Sequence, residues 1–289
     1  MSDALQFLIS GLVVGSIYGL IGVGFTCIYN VTGIVNFAQG DFAMVGAMSA
    51  IAIQTAGAPM WLAIILAILI TCMVATLIER TAVQPVRGDV MRGIIVTIGV
   101  GVVLQGAAAV IWGTDAEPMP AFSGEKPIHL LGATLVPQSL WVLGVAAVAM
   151  VALDLLFRKT YLGQMFRACA MNPFAARLVG MKVETMSLVG FLMSGALGAI
   201  AGIVVAPIAL TQYDTGLQLG IKGFVACIVG GFGGPIGAAV GGIVLGVLEA
   251  FAAGYVSSGY KNAIAFALLI GFLLFRPGGL LGDYERVRA

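Results

Sequence analysis

Residues 158–184 read RKTYLGQMFRACAMNPFAARLVGMKVE, and residues 187–207 read SLVGFLMSGALGAIAGIVVAP. The second stretch carries no charge over a length that matches the ~20 apolar residues a helix needs to cross hydrocarbon. The first carries Arg158, Lys159, Arg167, Arg177 and Lys182, the mark of a loop retained on the cytoplasmic side of a membrane. This alternation of long apolar runs with short charged joints decides the fold class, and it recurs along the whole chain.

Of 289 residues, 60% are hydrophobic and only 9% are charged, against ~25% in a soluble domain. Such a chain cannot solvate a globule, so a soluble enzyme, a nucleic-acid binder and a disordered protein are excluded. Charge-free runs predict helices at about 5–29, 41–56, 61–79, 93–112, 139–157, 187–207 and 256–275. Residues 221–253 are also apolar, too long for one span, and interrupted at Gly230-Gly231-Phe232-Gly233-Gly234-Pro235. The expectation is an all-α polytopic membrane protein of about seven or eight transmembrane helices, forming one domain over residues 1–289. The first apolar run has no Lys or Arg before it, unlike a cleaved signal, and is read as a retained helix.

Lys and Arg fix the expected orientation. Arg80, Arg87 and Arg92 share one short joint, the 158–186 loop holds five basic residues, and Arg276, Arg286 and Arg288 end the chain. Those three groups are expected in the cytoplasm, with a cytoplasmic C-terminus. The 113–138 loop holds Asp115, Glu117 and Glu125 against Lys126 and is expected outside, as is the N-terminus. Parity then places both ends of 221–253 outside and makes it a re-entrant hairpin or two half-helices turning at the Gly/Pro knot. Asn36-Phe37-Ala38-Gln39-Gly40-Asp41 offers a break in the first half. Irregular backbone at membrane depth survives only where protein or a water cavity satisfies it, and broken helices mark substrate routes in transporters. One break per half suggests a distant internal repeat; close packing and helix capping would equally account for both.

Within the basic loop, Asn172-Pro173 reads as a helix start, because Asn caps exposed N–H groups and Pro fits the first helical position. Gly180 reads as the stop. The short helix between them shows Phe174, Ala175, Ala176, Leu178 and Val179, flanked by Arg167, Arg177 and Lys182. A loop resting on lipid would carry the same charge, but a capped apolar helix fits a groove on a cytoplasmic partner better.

Phe174 to Gly180 resembles the E-A-A-x-x-x-G loop of ABC importer permeases, with Phe174 in place of Glu. With GQMFRACA (163–170), GIVNFAQGD (33–41), IERTAVQPVR (78–87), GGFGGPIGA (230–238) and FRPGGLLG (275–282), the chain resembles the branched-chain amino acid ABC transporter permease family over nearly its whole length. The resemblance implies a bacterial inner-membrane permease that translocates branched-chain or similar amino acids by ATP-driven alternating access. It implies a second homologous permease subunit, two cytoplasmic ATP-binding subunits and an external substrate-binding protein as partners. Arg167, Asn172, Pro173, Phe174, Ala175, Ala176, Arg177 and Gly180 would then form the ATPase-coupling segment. A sugar, urea or amide importer permease, or a self-sufficient channel or ion-coupled carrier, are the alternatives.

No Lys of this chain follows a Gly, so a P-loop is excluded and ATP must be handled by another polypeptide. One His and four scattered Cys give no triad, zinc or disulfide framework. No catalytic residue, metal or cofactor is expected. Asn36, Gln39, Gly40, Asp41, Lys222, Gly230, Gly231, Gly233, Gly234 and Pro235 are the expected pathway or gate residues. Asp41 also suits a helix cap, Lys222 an interfacial anchor just outside, and Glu249 an ion pair with Lys261.

Overall fold

A computed structural model describes residues 2–124, 126–130, 133–255, 257–276 and 278–281. Glu125, Pro277, Gly282, Arg286 and Arg288, named above, lie outside the described residues. The chain forms α1 (Ser2–Thr32), α2 (Gln39–Thr55), α3 (Met60–Ile78), α4 (Val90–Trp112), α5 (Pro137–Lys159), α6 (Tyr161–Met171), α7 (Pro173–Leu178), α8 (Val183–Val205), α9 (Thr215–Gly230), α10 (Pro235–Tyr255) and α11 (Lys261–Phe275). A small antiparallel hairpin, β1 (Ile128–Leu130) with β2 (Ala133–Leu135), sits in the 113–136 loop. Among the described residues, six helices are long and apolar enough to cross a membrane: α1, α3 with its continuation to Val86, α4, α5, α8 and α10. α9 and most of α11 are shorter apolar helices.

The core is built on α1, which runs antiparallel to α10 and α8. Gly11, Gly15 and Gly19 lie against the α10 backbone near Val247, Ile243 and Ala239, and Gly242 and Gly246 return the contact. A Cβ at Gly11, Gly15, Gly242 or Gly246 would overlap backbone, so the small residues permit a close helix approach that lipid alone would not drive. Gly190 of α8 packs on the Cys27 carbonyl of α1, and Gly198 and Gly202 pack on Phe42 and Ala43 of α2.

Two segments break the helical order inside the bundle. After α1, Gly33 turns the chain with φ +69°. Residues 34–38 then climb back beside α1 without helix. Thr97 of α4 satisfies this stretch, its Oγ1 accepting from the Phe37 N–H at 3.3 Å and donating to the Val35 carbonyl at 3.3 Å. Asn36 Oδ1 accepts from the Ala38 N–H at 3.2 Å, and α2 begins in mid-bundle. After α8, residues 206–214 return into the bundle in the same way. Thr211 exchanges backbone hydrogen bonds with Glu117 of the long loop, at 2.9 and 3.2 Å, and α9 also begins in mid-bundle. The order α1, break, α2, α3, α4 is thus repeated, with opposite direction through the bundle, by α8, break, α9, α10, α11.

The break in the second half is therefore residues 206–214, not the Gly/Pro knot. Residues 231–234 are a tight turn joining α9 to α10 at the end of the bundle that carries α6 and α7. Gly231 and Gly233 adopt φ +109° and +104°, and Asn30 Nδ2 donates to the Gly233 carbonyl at 2.9 Å. The 221–253 stretch is a hairpin, as parity required, but α10 is a full-length helix and only α9 is short. The chain beyond α11 folds back onto this turn. The Leu280 and Leu281 N–H groups donate to the Val229 and Gly230 carbonyls at 2.8 and 3.0 Å, capping the last turn of α9, whose carbonyls have no intrahelical partner.

Candidate functional site

α2 and α9 start at the same depth and point in opposite directions, so their N-termini overlap head to head. Gly40 lies against the Gly216 carbonyl and the Gly220 backbone, leaving no room for a Cβ. Two helix N-termini bring partial positive charge together, and two carboxylates meet it, Asp41 in the first turn of α2 and Asp214 at the start of α9. Asp41 is 2% exposed. Its carboxylate is wedged between Gly216 of α9 and Gly101 of α4 and accepts a hydrogen bond from Gln105 Nε2 of α4 at 3.0 Å. Beside it, Gln39 is fully buried. Its Nε2 donates to the Ser194 carbonyl at 3.3 Å and its Oε1 accepts from the Ser194 hydroxyl. One small polar centre thus ties α2, α4, α8 and α9 together at the double break.

A chain of rings leads from this centre to the Gly/Pro turn. Phe37 and Phe25 each approach Phe224, at 5.4 and 5.7 Å between centroids. Phe224 approaches Phe232 at 6.0 Å, and Tyr29 meets Phe232 edge-on at 4.4 Å. Gln39, Gly40 and Asp41 therefore gather around Gly216 and Gly220, while Gly230, Gly231, Gly233, Gly234 and Pro235 stand at the α6–α7 end, joined to them through rings.

Lys222 is not an anchor just outside the bundle. It sits inside, because α9 starts deep, and its Nζ lies 3.0 and 3.1 Å from the two oxygens of Glu249 on α10. Tyr18 of α1 donates to Glu249 Oε2 at 2.9 Å and accepts from Lys222 Nζ at 3.0 Å. Glu249 is fully buried. Its partner is Lys222 rather than Lys261, whose side chain lies outside the described residues. Glu79 ends α3 and faces inward as well. It is buried, pairs with Arg87 and accepts from the Ser187 hydroxyl at 3.0 Å, tying the end of α3 to the base of α8.

The short helix expected between Asn172 and Gly180 is α7, and a second helix, α6, precedes it and carries Arg167. Thr160 caps α6 by accepting from the Gly163 N–H at 3.1 Å. Asn172 caps α7 by accepting from the Phe174 and Ala175 N–H groups at 3.0 Å each. Pro173 takes the first helical position and Gly180, at φ +84°, ends the helix. Ala176 is buried against the bundle, whereas Phe174, Leu178 and Val179 are each at least 70% exposed. Arg167 is exposed, and Arg177 pairs with Glu184 of α8 at 3.2 Å. On α6, burial first and Glu184 second push the Cys169 thiol above its ordinary value.

Sequence reasoning missed Tyr18, Gln105, Ser194 and the Lys222–Glu249 pairing. Gln105 had a signal, as the lone amide in an otherwise apolar stretch of α4. Tyr18 and Ser194 had none, since both types are ordinary in membrane helices.

The geometry defines a polytopic helix bundle with two helices broken at mid-depth and a capped apolar knob at one end. The family model "Branched-chain amino acid transport system / permease component" matches residues 7–273, and the chain belongs to this family. It is 33% identical to the high-affinity branched-chain amino acid transport system permease protein LivH of Salmonella typhimurium, over 97% of this chain and 96% of that one. It is equally 33% identical to BraD of Pseudomonas aeruginosa over the same shares, and 26% identical to the fructose import permease protein FruF of Bifidobacterium longum over 80% of this chain and 66% of that one. The fold is shared with PsaBC from Streptococcus pneumoniae, solved in complex with Fab, at a TM-score of 0.54 and 13% identity, covering 99% of this chain and 95% of that one.

Proposed function

We propose that this chain is the membrane-spanning permease subunit of a binding-protein-dependent ABC importer and passes branched-chain or similar amino acids by ATP-driven alternating access. The observation that carries this reading is the α6–α7 unit. Its two helices are capped, one face is buried on the bundle, and the other offers Phe174, Leu178 and Val179 to a partner. Exposed apolar side chains on a rigid helix fit a groove on another protein. The lack of a P-loop means that ATP must be spent there. Two ATP-binding subunits, a second homologous permease and an external binding protein complete the machine. The α6–α7 end and the C-terminus face the cytoplasm of a bacterial cell, as the Lys/Arg bias requires.

Alternating access would act on the double break. Displacing α6 and α7 moves α8, to which Arg177 is tied through Glu184. α8 carries Ser194, which holds Gln39 beside Gly40 and Asp41. Asn36, Gln39, Gly40 and Asp41 would thus line the inner part of the route, the ring chain would close it, and the 230–235 turn would flank its cytoplasmic mouth. Lys222, paired inside the bundle, would hold α9 in place.

The test is leucine uptake by vesicles holding this chain with its neighbouring ATPase, permease and binding-protein gene products. Uptake requires ATP. Phe174→Asp abolishes co-purification of the ATPase while the permease still inserts. Uptake by this chain alone, driven by an ion gradient, would overturn the reading. Uptake of fructose but not leucine by the full set would keep the machine and replace the substrate.

A further inference from the structure

At the end of the bundle opposite α6 and α7, two cavities lie side by side and share Trp141. One, of about 440 Å³, is a slot between α3, α5 and α8, lined only by apolar side chains that include Met60, Trp61, Ile64, Phe122, Trp141 and Ile203. The other, of about 510 Å³, is bounded by Ser123, Lys126 and Leu140 among others.

The walls are fixed rather than loosely filled. Gln138, 1% exposed, donates from Nε2 to the Val204 carbonyl at 3.0 Å and accepts from the Phe122 N–H at 3.2 Å. This holds the Phe122 ring edge-on to Trp141 at 6.0 Å, and Trp141 Nε1 donates to the Ser123 hydroxyl. A buried amide spends its hydrogen bonds holding one aromatic wall. An apolar slot kept open in this way admits an occupant without repacking.

We propose that the paired cavities bind one anionic phospholipid, an acyl chain in the apolar slot and its phosphate beside Lys126 and Ser123. Three observations select that occupant. Trp61 and Trp141 are both partly exposed at the helix ends, the level at which Trp marks the membrane–water interface. The slot opens between membrane-crossing helices, so acyl chains are what surrounds it. The cavity at its mouth has apolar walls of Ile128, Pro137, Leu140 and Trp141 apart from Ser123 and the cation Lys126, and that hydroxyl and cation complement a phosphate and not an apolar amino-acid side chain. Because acyl chains gain little on leaving bulk lipid for an apolar slot, headgroup charge must supply the preference. A Lys beside an anionic headgroup gives about fivefold. The bound lipid would fill the gap between α3, α5 and α8 beneath the 113–136 loop, whose Glu117 is hydrogen-bonded to the second break.

The experiment uses the full chain reconstituted in nanodiscs, with Trp112→Phe so that Trp61 and Trp141 are the remaining indoles. Tail-brominated phosphatidylglycerol and tail-brominated phosphatidylcholine serve as quenchers at equal mole fraction. The anionic phosphatidylglycerol is expected to quench about fivefold more effectively at low mole fraction. Lys126→Glu, at an exposed loop position, should remove that difference and leave phosphatidylcholine quenching intact. Val145→Phe, which narrows the slot, should lower quenching by both. Equal quenching by the two lipids in the parent chain would overturn the proposal. So would loss of quenching on adding leucine, which would make the slot a substrate site, or on adding the second permease, which would make it a subunit contact. If Val145→Phe does not fold, the Lys126→Glu comparison still decides.

Discussion

The ion pair between Lys222 and Glu249 makes the sharpest demand on the fold. Lys222 Nζ lies 3.0 and 3.1 Å from the two carboxylate oxygens, Glu249 is fully buried, and Lys222 keeps only 13% of its side chain exposed. Glu249→Gln removes the negative charge, keeps the volume and turns an amide donor toward an ammonium group. A lone charge held inside a membrane helix bundle costs ~2.5–3.5 kcal/mol, and breaking a buried pair in proteins costs ~3–5 kcal/mol. When helices separate, Lys222 can snorkel to the interface, so the penalty falls on the folded state alone. A loss of about 3 kcal/mol is therefore expected, roughly a hundredfold in the folded-to-unfolded ratio. Lys222→Met should cost a similar amount, moderated by the hydrogen bond that Tyr18 still donates to Glu249. Tyr18→Phe should cost ~1.5–3 kcal/mol, the value of a hydrogen bond to a charged group. Glu249→Met alone should cost about as much as Glu249→Gln, and Lys222→Met with Glu249→Met removes both charges and should lie near the parent, giving a coupling of several kcal/mol. The assay is denaturant unfolding in mixed micelles, read as a double-mutant cycle. A Glu249→Gln chain within ~0.5 kcal/mol of the parent, the range of an ordinary surface change, would refute the claim that these charges neutralise one another.

Gly40→Ala places a methyl on the Gly216 carbonyl and the Gly220 backbone. The two helix starts must separate, at a cost of ~1–3 kcal/mol, and uptake by the assembled importer should fall sharply while insertion persists. Asn172→Ala removes both cap bonds of α7, worth ~1 kcal/mol. ATPase co-purification should weaken about fivefold with no change in the unfolding midpoint of the bundle. Cys169 has its thiol pushed above the ordinary range by burial and by Glu184, so its thiolate is scarcer at neutral pH than in a free thiol. Maleimide labelling of a Cys72→Ser chain should be slow at rest, rising only above the ~8.5 of a free thiol, and should accelerate when nucleotide moves α6 in the complex. Labelling of the resting complex with an ordinary thiol pH profile would count against α6 being docked.

The helices were legible because a membrane helix announces itself by the absence of charge over ~20 residues, and α1, α3, α4, α5 and α8 all fall where that rule puts them. The caps of α7 were legible because Asn172, Pro173 and Gly180 are local chemistry. Depth was not. The 230–235 knot looked like a mid-membrane break because glycine density says that backbones are close, not where in the bilayer they meet. The second break at 206–214 was hidden in APIALTQYD, a stretch with one charge that reads as ordinary outer loop. Once α9 is known to start at mid-depth, the rest follows. Lys222 moves inward by the length of the break and must find an acid, and Glu249 is the one α10 provides.

The two breaks also explain each other. A helix that starts in mid-bundle leaves its first N–H groups without intrahelical partners, a cost lipid cannot relieve. Here the two starts lie against each other, Gly40 on the Gly216 carbonyl and the Gly220 backbone. Asp41 of α2 lies against Gly216 of α9, and the carboxylate that complements its own helix also faces the N-terminus of the partner helix. Neither half-helix is stable at this depth alone, so movement of one requires movement of the other. Under the proposed alternating access, two half-helices that share one carboxylate would have to move together. Gln105, which donates to Asp41 from α4 at 3.0 Å, ties this shared carboxylate to a helix outside both breaks, so α4 is the element against which the pair is positioned.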